Sequence, residues 1–195
     1  MDAKDKPARR MGQPGSQVWH TMLDGAETIL RDEGHAKLTS RRVAEVVGVK
    51  QRLVYYYFQT MDELVVETFR RLAERELLRL EQAASAHQPL RELWDVCIHT
   101  TDSRITLEFM ALANHNAALK AEVVHFIEKS RGIQSKSLAA ALRRDGGAMP
   151  LPPDALALLA TSLALALTRE RPLGISVGHD QALDLVARLL ERLDP

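Results

Sequence analysis

Apolar residues in the N-terminal third of the chain recur every three to four positions, which is the period of an amphipathic helix. From Ser16 onward they lie on one side of such a helix, at Val18, Met22, Ala26, Ile29 and Leu30. Gly34 follows the last of these positions and is a typical stop signal. The pattern therefore predicts a first helix that ends near Glu33.

Two short helices are predicted next. Thr39 is placed as an N-cap before an apolar stretch that ends at Gly48, a residue type favoured after the last helical turn. Beyond Gly48, Val54 and Phe58 are four residues apart and would point inward together, while Val49 would anchor the turn. Two short helices joined by a tight glycine turn form a helix-turn-helix.

The rest of the chain also has helical patterns, and no strand pattern competes with them. Thr60 and Glu63 have the spacing of a capping box, which predicts the start of a long helix that links two domains. Five further helices are predicted at about Pro89 to Thr101, Ser103 to Asn114, Ala117 to Arg144, Pro153 to Arg169 and His179 to Leu193.

The last two helices predict a homodimer. The helix from about Pro153 is apolar nearly all the way round, so one side can face its own domain while the other needs a partner. The final helix supplies an apolar stripe of Leu183, Val186, Leu190 and Leu193. Two such helix pairs from two chains would form a four-helix bundle.

The predicted fold is therefore all-α, with three parts. Residues 1–15 carry Lys4, Lys6, Arg9 and Arg10 among prolines and glycines and are expected to be a flexible arm, whether solvated or lying along DNA. Residues 16–60 form a three-helix helix-turn-helix domain, and residues 61–195 form a larger helical domain that dimerises and holds an effector.

Composition and charge limit the class of protein but do not indicate what it binds. Formal net charge is zero over 195 residues, although the first 60 residues hold ten Lys/Arg against seven Asp/Glu. The single cysteine, Cys97, excludes an internal disulfide, and the N-terminus lacks an apolar secretory stretch. No apolar run is long enough to cross a bilayer. We expect a cytoplasmic protein.

The segment from Leu38 to Phe58, read as LTSRRVAEVVGVKQRLVYYYF, resembles the DNA-binding signature of the TetR/AcrR family of regulators. The threonine cap, the Gly-Val turn, the tyrosine-rich helix ending in Phe and the following Asp62-Glu63-Leu64 all have the family's spacing. The resemblance implies a helical regulator, commonly a repressor released by a ligand. It also implies operator contacts at the positions matching Ser40, Arg41, Gln51, Tyr55 and Tyr57.

The physics of a helix-turn-helix assigns roles to the same segment, because the start of each helix meets DNA. Thr39 and Ser40 offer hydroxyls and N-terminal amides to a phosphate. Arg41 could donate two hydrogen bonds to a guanine edge, and Gln51 could pair with adenine. The complete set of candidate contacts is Thr39, Ser40, Arg41, Arg42, Lys50, Gln51, Arg52, Tyr55, Tyr56 and Tyr57.

Three consecutive tyrosines cannot all point inward, because a helix turns about 100° per residue. Some of these rings must therefore be exposed. The segment also departs from the family pattern at Lys50, Leu53, Gln59 and Met61. Lysines often occupy the last two positions, so the phosphate grip there is expected to be weaker, and an operator sequence cannot be carried over from relatives.

The effector pocket is expected on the middle helices, where large or soft side chains occur. The candidates are Trp94, Cys97, Phe109, Met110 and Phe126. Core packing is the alternative role for each of them, because buried aromatics usually belong to cores. The scarcity of charge on these faces favours an apolar effector.

Catalytic and metal-binding functions are not indicated, and no cofactor is expected. Cys97 and His99 lie about 200° apart on a helix, which does not suit a nucleophile and its base. The sequence contains no H-E-x-x-H, C-x-x-C or glycine-rich phosphate loop. Three alternatives stay open: a DNA-binding regulator without a small-molecule effector, an activator, and an enzyme or structural dimer in which the helix-turn-helix has no role.

Overall fold

The structure is a computed structural model that describes residues 12–99, 103–146 and 151–195. Most of the predicted N-terminal arm, residues 1–11, lies outside the described residues. So does the predicted end of one helix near Thr101. Within the described ranges every regular element is helical, which confirms the all-α fold class.

The chain divides into two compact units, the first ending at Thr68 and the second beginning at Phe69. The first contains helices α1 (Gln17–Asp32), α2 (Ser40–Val47) and α3 (Gln51–Tyr57), with a short 3-10 turn at His35–Lys37. The division falls inside α4 (Met61–Ala84) rather than at residue 60, because Leu64 is fully buried in the core of the first unit.

The core of the first unit is closed around the apolar positions that the sequence pattern selects. Met22, Ala26 and Ile29 of α1 are fully buried beside Val54 of α3 and Phe58. The indole of Trp19 stacks on the Phe58 ring with centroids 6.0 Å apart. The predicted inward positions of the helix-turn-helix are thus confirmed.

The start of α4 is capped much as a capping box predicts. The backbone N–H of Glu63 donates to the Thr60 hydroxyl at 3.1 Å, so Thr60 is the cap. The Glu63 carboxylate, however, accepts from the backbone N–H of Gln59 at 2.7 Å, one residue before the predicted partner. The first bond satisfies an amide that the first turn of α4 leaves unpaired, and the second holds the residue before the cap.

The second unit contains the C-terminal part of α4 and five further helices. These are α5 (Pro89–His99), α6 (Ser103–Ala113), α7 (Ala117–Asp145), α8 (Pro153–Glu170) and α9 (His179–Leu193). Helix α7 packs against α5, α6, α8 and α9, and α5 packs against both α8 and α9. Helices α5 and α7 therefore form the centre on which α8 and α9 rest.

Asp194 fastens the end of α9 to the start of α5. Its buried carboxylate accepts hydrogen bonds from the backbone N–H groups of Leu90 at 2.8 Å and Arg91 at 3.1 Å. These amides belong to the first turn of α5, whose unpaired N–H groups favour an anionic partner. A residue beyond the last helix thus caps a helix that begins more than a hundred positions earlier.

Helices α8 and α9 present apolar side chains that the single chain leaves uncovered. Leu158, Leu159 and Leu165 of α8 and Leu185 of α9 are exposed, with Leu159 at 55% and Leu185 at 53%. Other residues of α8, such as Ala164 and Leu167, are buried within the unit. Over the described ranges, none of the helices has the length and apolarity needed to span a membrane.

Candidate DNA-binding interface and apolar cavity

The turn between α2 and α3 is fixed by local hydrogen bonds. The Thr39 hydroxyl accepts from the backbone N–H of Arg42 at 3.1 Å, so Thr39 is the predicted N-cap of α2. Gly48 ends the helix with φ of 71°, a conformation that residues with a Cβ seldom adopt. The N–H of Val49 then bonds to the Ala44 carbonyl at 2.9 Å. These bonds set the angle at which α3 leaves α2.

Arg41 and Arg42 differ in how far they are already paired. The Arg41 side chain is 81% exposed, and its Nε lies 2.9 Å from Glu45 Oε1. Arg42 is less exposed and binds the Glu33 carboxylate with Nε and a terminal nitrogen, the shorter contact being 2.7 Å. Arg42 also approaches Glu45 at 3.5 Å. Arg41 is therefore the more available of the two for DNA.

These ion pairs alter the titration of the acids involved. The hydrogen bond from Arg42 holds the pKa of Glu33 below its ordinary value. Hydrogen bonds from Arg41, and then Arg42, lower the pKa of Glu45 in the same way. Both carboxylates are thus anionic at neutral pH, and each is paired with an arginine that is predicted from the sequence to contact DNA.

Ser40, Gln51 and Tyr55 form a chain of hydrogen bonds between α2 and α3. The Gln51 side-chain nitrogen donates to Ser40 Oγ at 2.9 Å, and Ser40 Oγ donates to the Tyr55 hydroxyl at 3.0 Å. Ser40 is only 5% exposed. Its hydroxyl is thus occupied inside the protein, which leaves its backbone N–H as the group that could meet a phosphate.

The remaining candidate side chains of α3 separate into exposed and half-buried residues. Lys50 and Arg52 are exposed, and Tyr55 and Tyr56 are each 43% exposed. Tyr57 is half-buried and packs against the core of the first unit. The prediction that not all three tyrosines face inward is confirmed.

Gly12 holds the segment before α1 against the end of α3. Its backbone N–H donates to the Tyr56 carbonyl at 2.8 Å. A Cβ at this position would lie 2.4 Å from the Tyr57 ring, which real side chains do not tolerate. Gly12 therefore allows an approach that the sequence pattern does not predict.

The second unit contains an apolar cavity of about 230 Å³ that is bounded by α5, α7, α8 and α9. Leu93, Trp94 and Cys97 line it from α5, and Leu163 and Leu189 line it from α8 and α9. The lining described by the structure has no charged residue. The exposed Leu159 and Leu185 also belong to it.

The polar groups at the apolar cavity are hydrogen-bonded to neighbouring side chains. The Gln134 amide nitrogen lies 3.4 Å from Cys97 Sγ, and Gln134 Oε1 accepts from the Thr161 hydroxyl at 3.0 Å. Burial raises the pKa of Cys97 to about 11, so the thiol is neutral at physiological pH. The cavity therefore offers mainly apolar contact.

Of the five predicted pocket residues, Trp94 and Cys97 line this cavity, whereas Phe109, Met110 and Phe126 do not. Phe109 is buried and packs edge to face against Phe69 with centroids 5.1 Å apart, and Phe126 approaches Phe69 at 6.1 Å. Packing between helices occupies these two rings.

Several residues that pair with the candidate DNA contacts or line the cavity were not predicted from the sequence. The spacing of Arg41 and Glu45 is a visible helical i,i+4 pair. Glu33 and Arg42 are nine residues apart in different helices, and nothing in the sequence pattern joins them. Gln134 and the α8 and α9 positions of the cavity depend equally on tertiary packing.

Comparisons with known proteins agree with this geometry. Residues 22–68 match the family described as bacterial regulatory proteins, tetR family. No curated protein matches the chain. The match covers α1 from Met22, all of α2 and α3, and the beginning of α4.

Solved structures extend the fold likeness over most of the chain. A TetR-family regulator from Rhodococcus sp. has a TM-score of 0.73 at 19% identity, covering 92% of this chain and 100% of that one. A TetR regulator from Haloarcula marismortui has a TM-score of 0.72 at 16% identity, covering 90% of this chain and 95% of that one. A regulator from Saccharomonospora viridis in complex with choline has a TM-score of 0.73 at 15% identity, covering 88% of this chain and 92% of that one.

The helix-turn-helix geometry and the match to its family agree, and the nine-helix arrangement of the described residues has the fold of these regulators. Residues 22–68 carry the signature of the tetR family of bacterial regulatory proteins, and the described residues have the fold of TetR-family transcriptional regulators.

Proposed function

We propose that this protein is a homodimeric repressor that binds a palindromic operator and is released by a small, neutral, apolar effector. The observation that carries the proposal is the uncharged cavity of about 230 Å³ in the unit that follows the helix-turn-helix. A cavity of this kind gives a regulator a place where a ligand can act without competing for the DNA surface.

Operator binding is assigned to the donors that α2 and α3 leave exposed. Arg41 is the proposed guanine reader, because a guanidinium can donate two hydrogen bonds to the guanine edge. Lys50 and Arg52 are the proposed phosphate contacts, with the N-terminal amides of α2. Binding would exchange Glu45 for DNA as the partner of Arg41.

The dimer is assigned to α8 and α9. Their exposed leucines are the uncovered apolar residues that a second copy would bury. A two-fold dimer presents two identical reading heads, and such heads recognise a palindrome whose half-sites match their separation. Because Leu159 and Leu185 also line the cavity, the same contact would cover one side of the effector site.

The lining determines which ligands suit the cavity. A charged ligand would lose its hydration and find no opposite charge there. The volume is below the roughly 300–1,000 Å³ of drug-sized sites, so a compact ligand is favoured. The choline of the Saccharomonospora viridis relative is not carried over, since quaternary ammonium groups favour several aromatic rings and Trp94 is the only aromatic residue in the described lining.

The test of DNA binding is selection of bound fragments from random and genomic DNA by the purified protein. A palindromic consensus with steep salt dependence would support a dimeric reader that grips phosphates. Failure to enrich any sequence at low salt would contradict the proposal. Transcription from the selected site, with and without protein, would distinguish a repressor from an activator.

The test of the effector site is a thermal-shift screen of compact neutral compounds against charged analogues of similar size. Bound ligands should also protect Cys97 from alkylation, because the thiol lines the cavity. Filling the cavity with Ala160→Phe should abolish both effects and leave DNA binding intact. Ala118→Phe, at an exposed position of α7 outside the lining, is the matched control.

The outcome separates two kinds of regulator. Stabilisation by neutral ligands that disappears in Ala160→Phe alone would support ligand-controlled release. Stabilisation by none of the compounds, with normal operator binding, would instead favour a regulator without a small-molecule effector.

A further inference from the structure

Ser40 stands between two residues of the helix that reads DNA. Ser40 is the first residue of α2, and its hydroxyl bonds to Gln51 at the start of α3 and to Tyr55 one turn later. Its side chain is nearly buried, and its hydroxyl already has a partner on each side. The Ser40 hydroxyl therefore contacts two more exposed side chains, Gln51 and Tyr55, which could reach DNA.

Ser40 uses its hydroxyl both as a donor and as an acceptor. A serine hydroxyl has one proton to donate and lone pairs to accept with. Here the proton goes to the Tyr55 oxygen, and a lone pair receives one N–H of Gln51. In this arrangement the amide nitrogen of Gln51 is directed toward Ser40.

The held amide retains one N–H donor and its carbonyl oxygen. Adenine presents one acceptor and one donor side by side in the major groove, which such an amide can match with two bonds. Guanine presents two acceptors at the same edge and can take only the N–H. Tyr55 accepts from Ser40 and so keeps its own proton, which suits a phosphate oxygen.

We propose that Ser40 is a positioning residue that sets Gln51 as an adenine reader, and that Tyr55 supports it from the other side. This inference rests on the proposed function, since it concerns how the same surface selects its operator. Ser40 controls sequence preference at one base pair in each half-site without touching DNA.

The experiment compares base preference among variants rather than affinity alone. The consensus selected by the unaltered protein is varied at each base pair, and binding constants are measured for Ser40→Ala, Tyr55→Phe and Gln51→Ala. Gln51→Ala identifies the position that Gln51 reads. Ser40→Ala should lower the preference for adenine there by about tenfold, because the freed amide can rotate.

Further variants separate the role of the hydrogen bonds from general effects of substitution. Ser40→Thr retains the hydroxyl and should restore the preference, whereas Ser40→Cys, which fills the same space but hydrogen-bonds only weakly, should not. Tyr56→Phe is the matched control for Tyr55→Phe, because both rings are 43% exposed and the Tyr56 hydroxyl is outside the Ser40 chain. Tyr55→Phe should weaken the adenine preference modestly, and Tyr56→Phe should leave it unchanged.

The possible failures are distinguishable. A uniform loss of affinity for every sequence in Ser40→Ala, with the adenine preference intact, would show that Ser40 serves the fold alone and would overturn the inference. So would a Gln51→Ala variant that keeps the full base preference at all positions. If the unaltered protein selects no sequence, the proposed operator binding fails, and this inference fails with it.

Discussion

The two units of the chain differ in how completely they bury their apolar residues. The core of the first is closed, with Met22, Leu23 and Phe58 almost inaccessible, and its functional groups are polar side chains on the outside. The second holds an uncharged cavity and exposes leucines of α8 and α9. The first unit therefore covers its own apolar residues, while the second leaves apolar surface open, where we propose that a ligand and a second copy bind.

The largest expected effect is a difference in the cost of removing a leucine from the two cores. Leu23→Ala would leave a new void in the closed core and should lower the free energy of unfolding by about 3 kcal/mol. Leu163→Ala only enlarges an existing cavity and should cost about 1 kcal/mol. Denaturant titration of both variants, with the exposed Leu107→Ala as control, measures this. Equal costs would contradict the comparison.

Charge reversal should separate the surface function of the first unit from its core. Arg41→Glu is expected to weaken operator binding about 100-fold while the melting temperature and dimer are retained, because this side chain is mostly solvent-exposed. Gel-shift titration and light scattering test both parts. Lys129→Glu makes the same charge change at an exposed position of α7 and should leave DNA binding nearly unchanged. Normal binding by Arg41→Glu would refute its assignment.

Removing the Asp194 cap should show that the second unit depends on a long-range polar contact. Asp194→Ala leaves two amides of α5 without their acceptor and should cost about 1–2 kcal/mol of unfolding free energy. Asp184→Ala, at an exposed position of α9, provides the matched control. If the two variants unfold at the same denaturant concentration, Asp194 is not an effective cap.

The smallest expected effect concerns the exposed pair of Glu33 and Arg42. Because Arg42 lowers the pKa of Glu33, the pair stabilises the fold above the ordinary glutamate pKa near 4.5. This contribution is lost as the pH falls through the lowered value. Glu33→Gln should therefore be slightly less stable than the unaltered protein at pH 7 and equal to it at strongly acidic pH. Thermal melts over that range provide the test, and a gap that persists in acid would exclude this origin.

Local signals explain how much of the fold could be predicted. Thr39 and Gly48 act through bonds to residues a few positions away, so the ends of α2 could be predicted from the sequence. The inward positions Val54 and Phe58 followed from helical spacing. The bounds of α1, α2, α6, α7, α8 and α9 lie close to the predicted ones, because caps and stops are local features.

The candidate site was only partly predictable, because its details depend on contacts between helices. Residue types and family spacing indicated the DNA-reading segment, but nothing in them indicated that Ser40 is buried or that Arg42 binds Glu33. The cavity follows from the way four helices pack. Trp94 and Phe109 are alike as sequence positions, yet one lines the cavity and the other fills a core.

The Asp194 contact also affects the order in which the two units can fold during synthesis. The caps of α1, α2 and α4 come from residues within a few positions, so the first unit can fold as soon as it leaves the ribosome. Helix α5 receives its cap from a residue 104 positions after Leu90. At about 5–20 residues per second, the start of α5 waits roughly 5–20 s for that carboxylate during synthesis. The DNA-reading unit is thus finished while the unit that would control it is still incomplete.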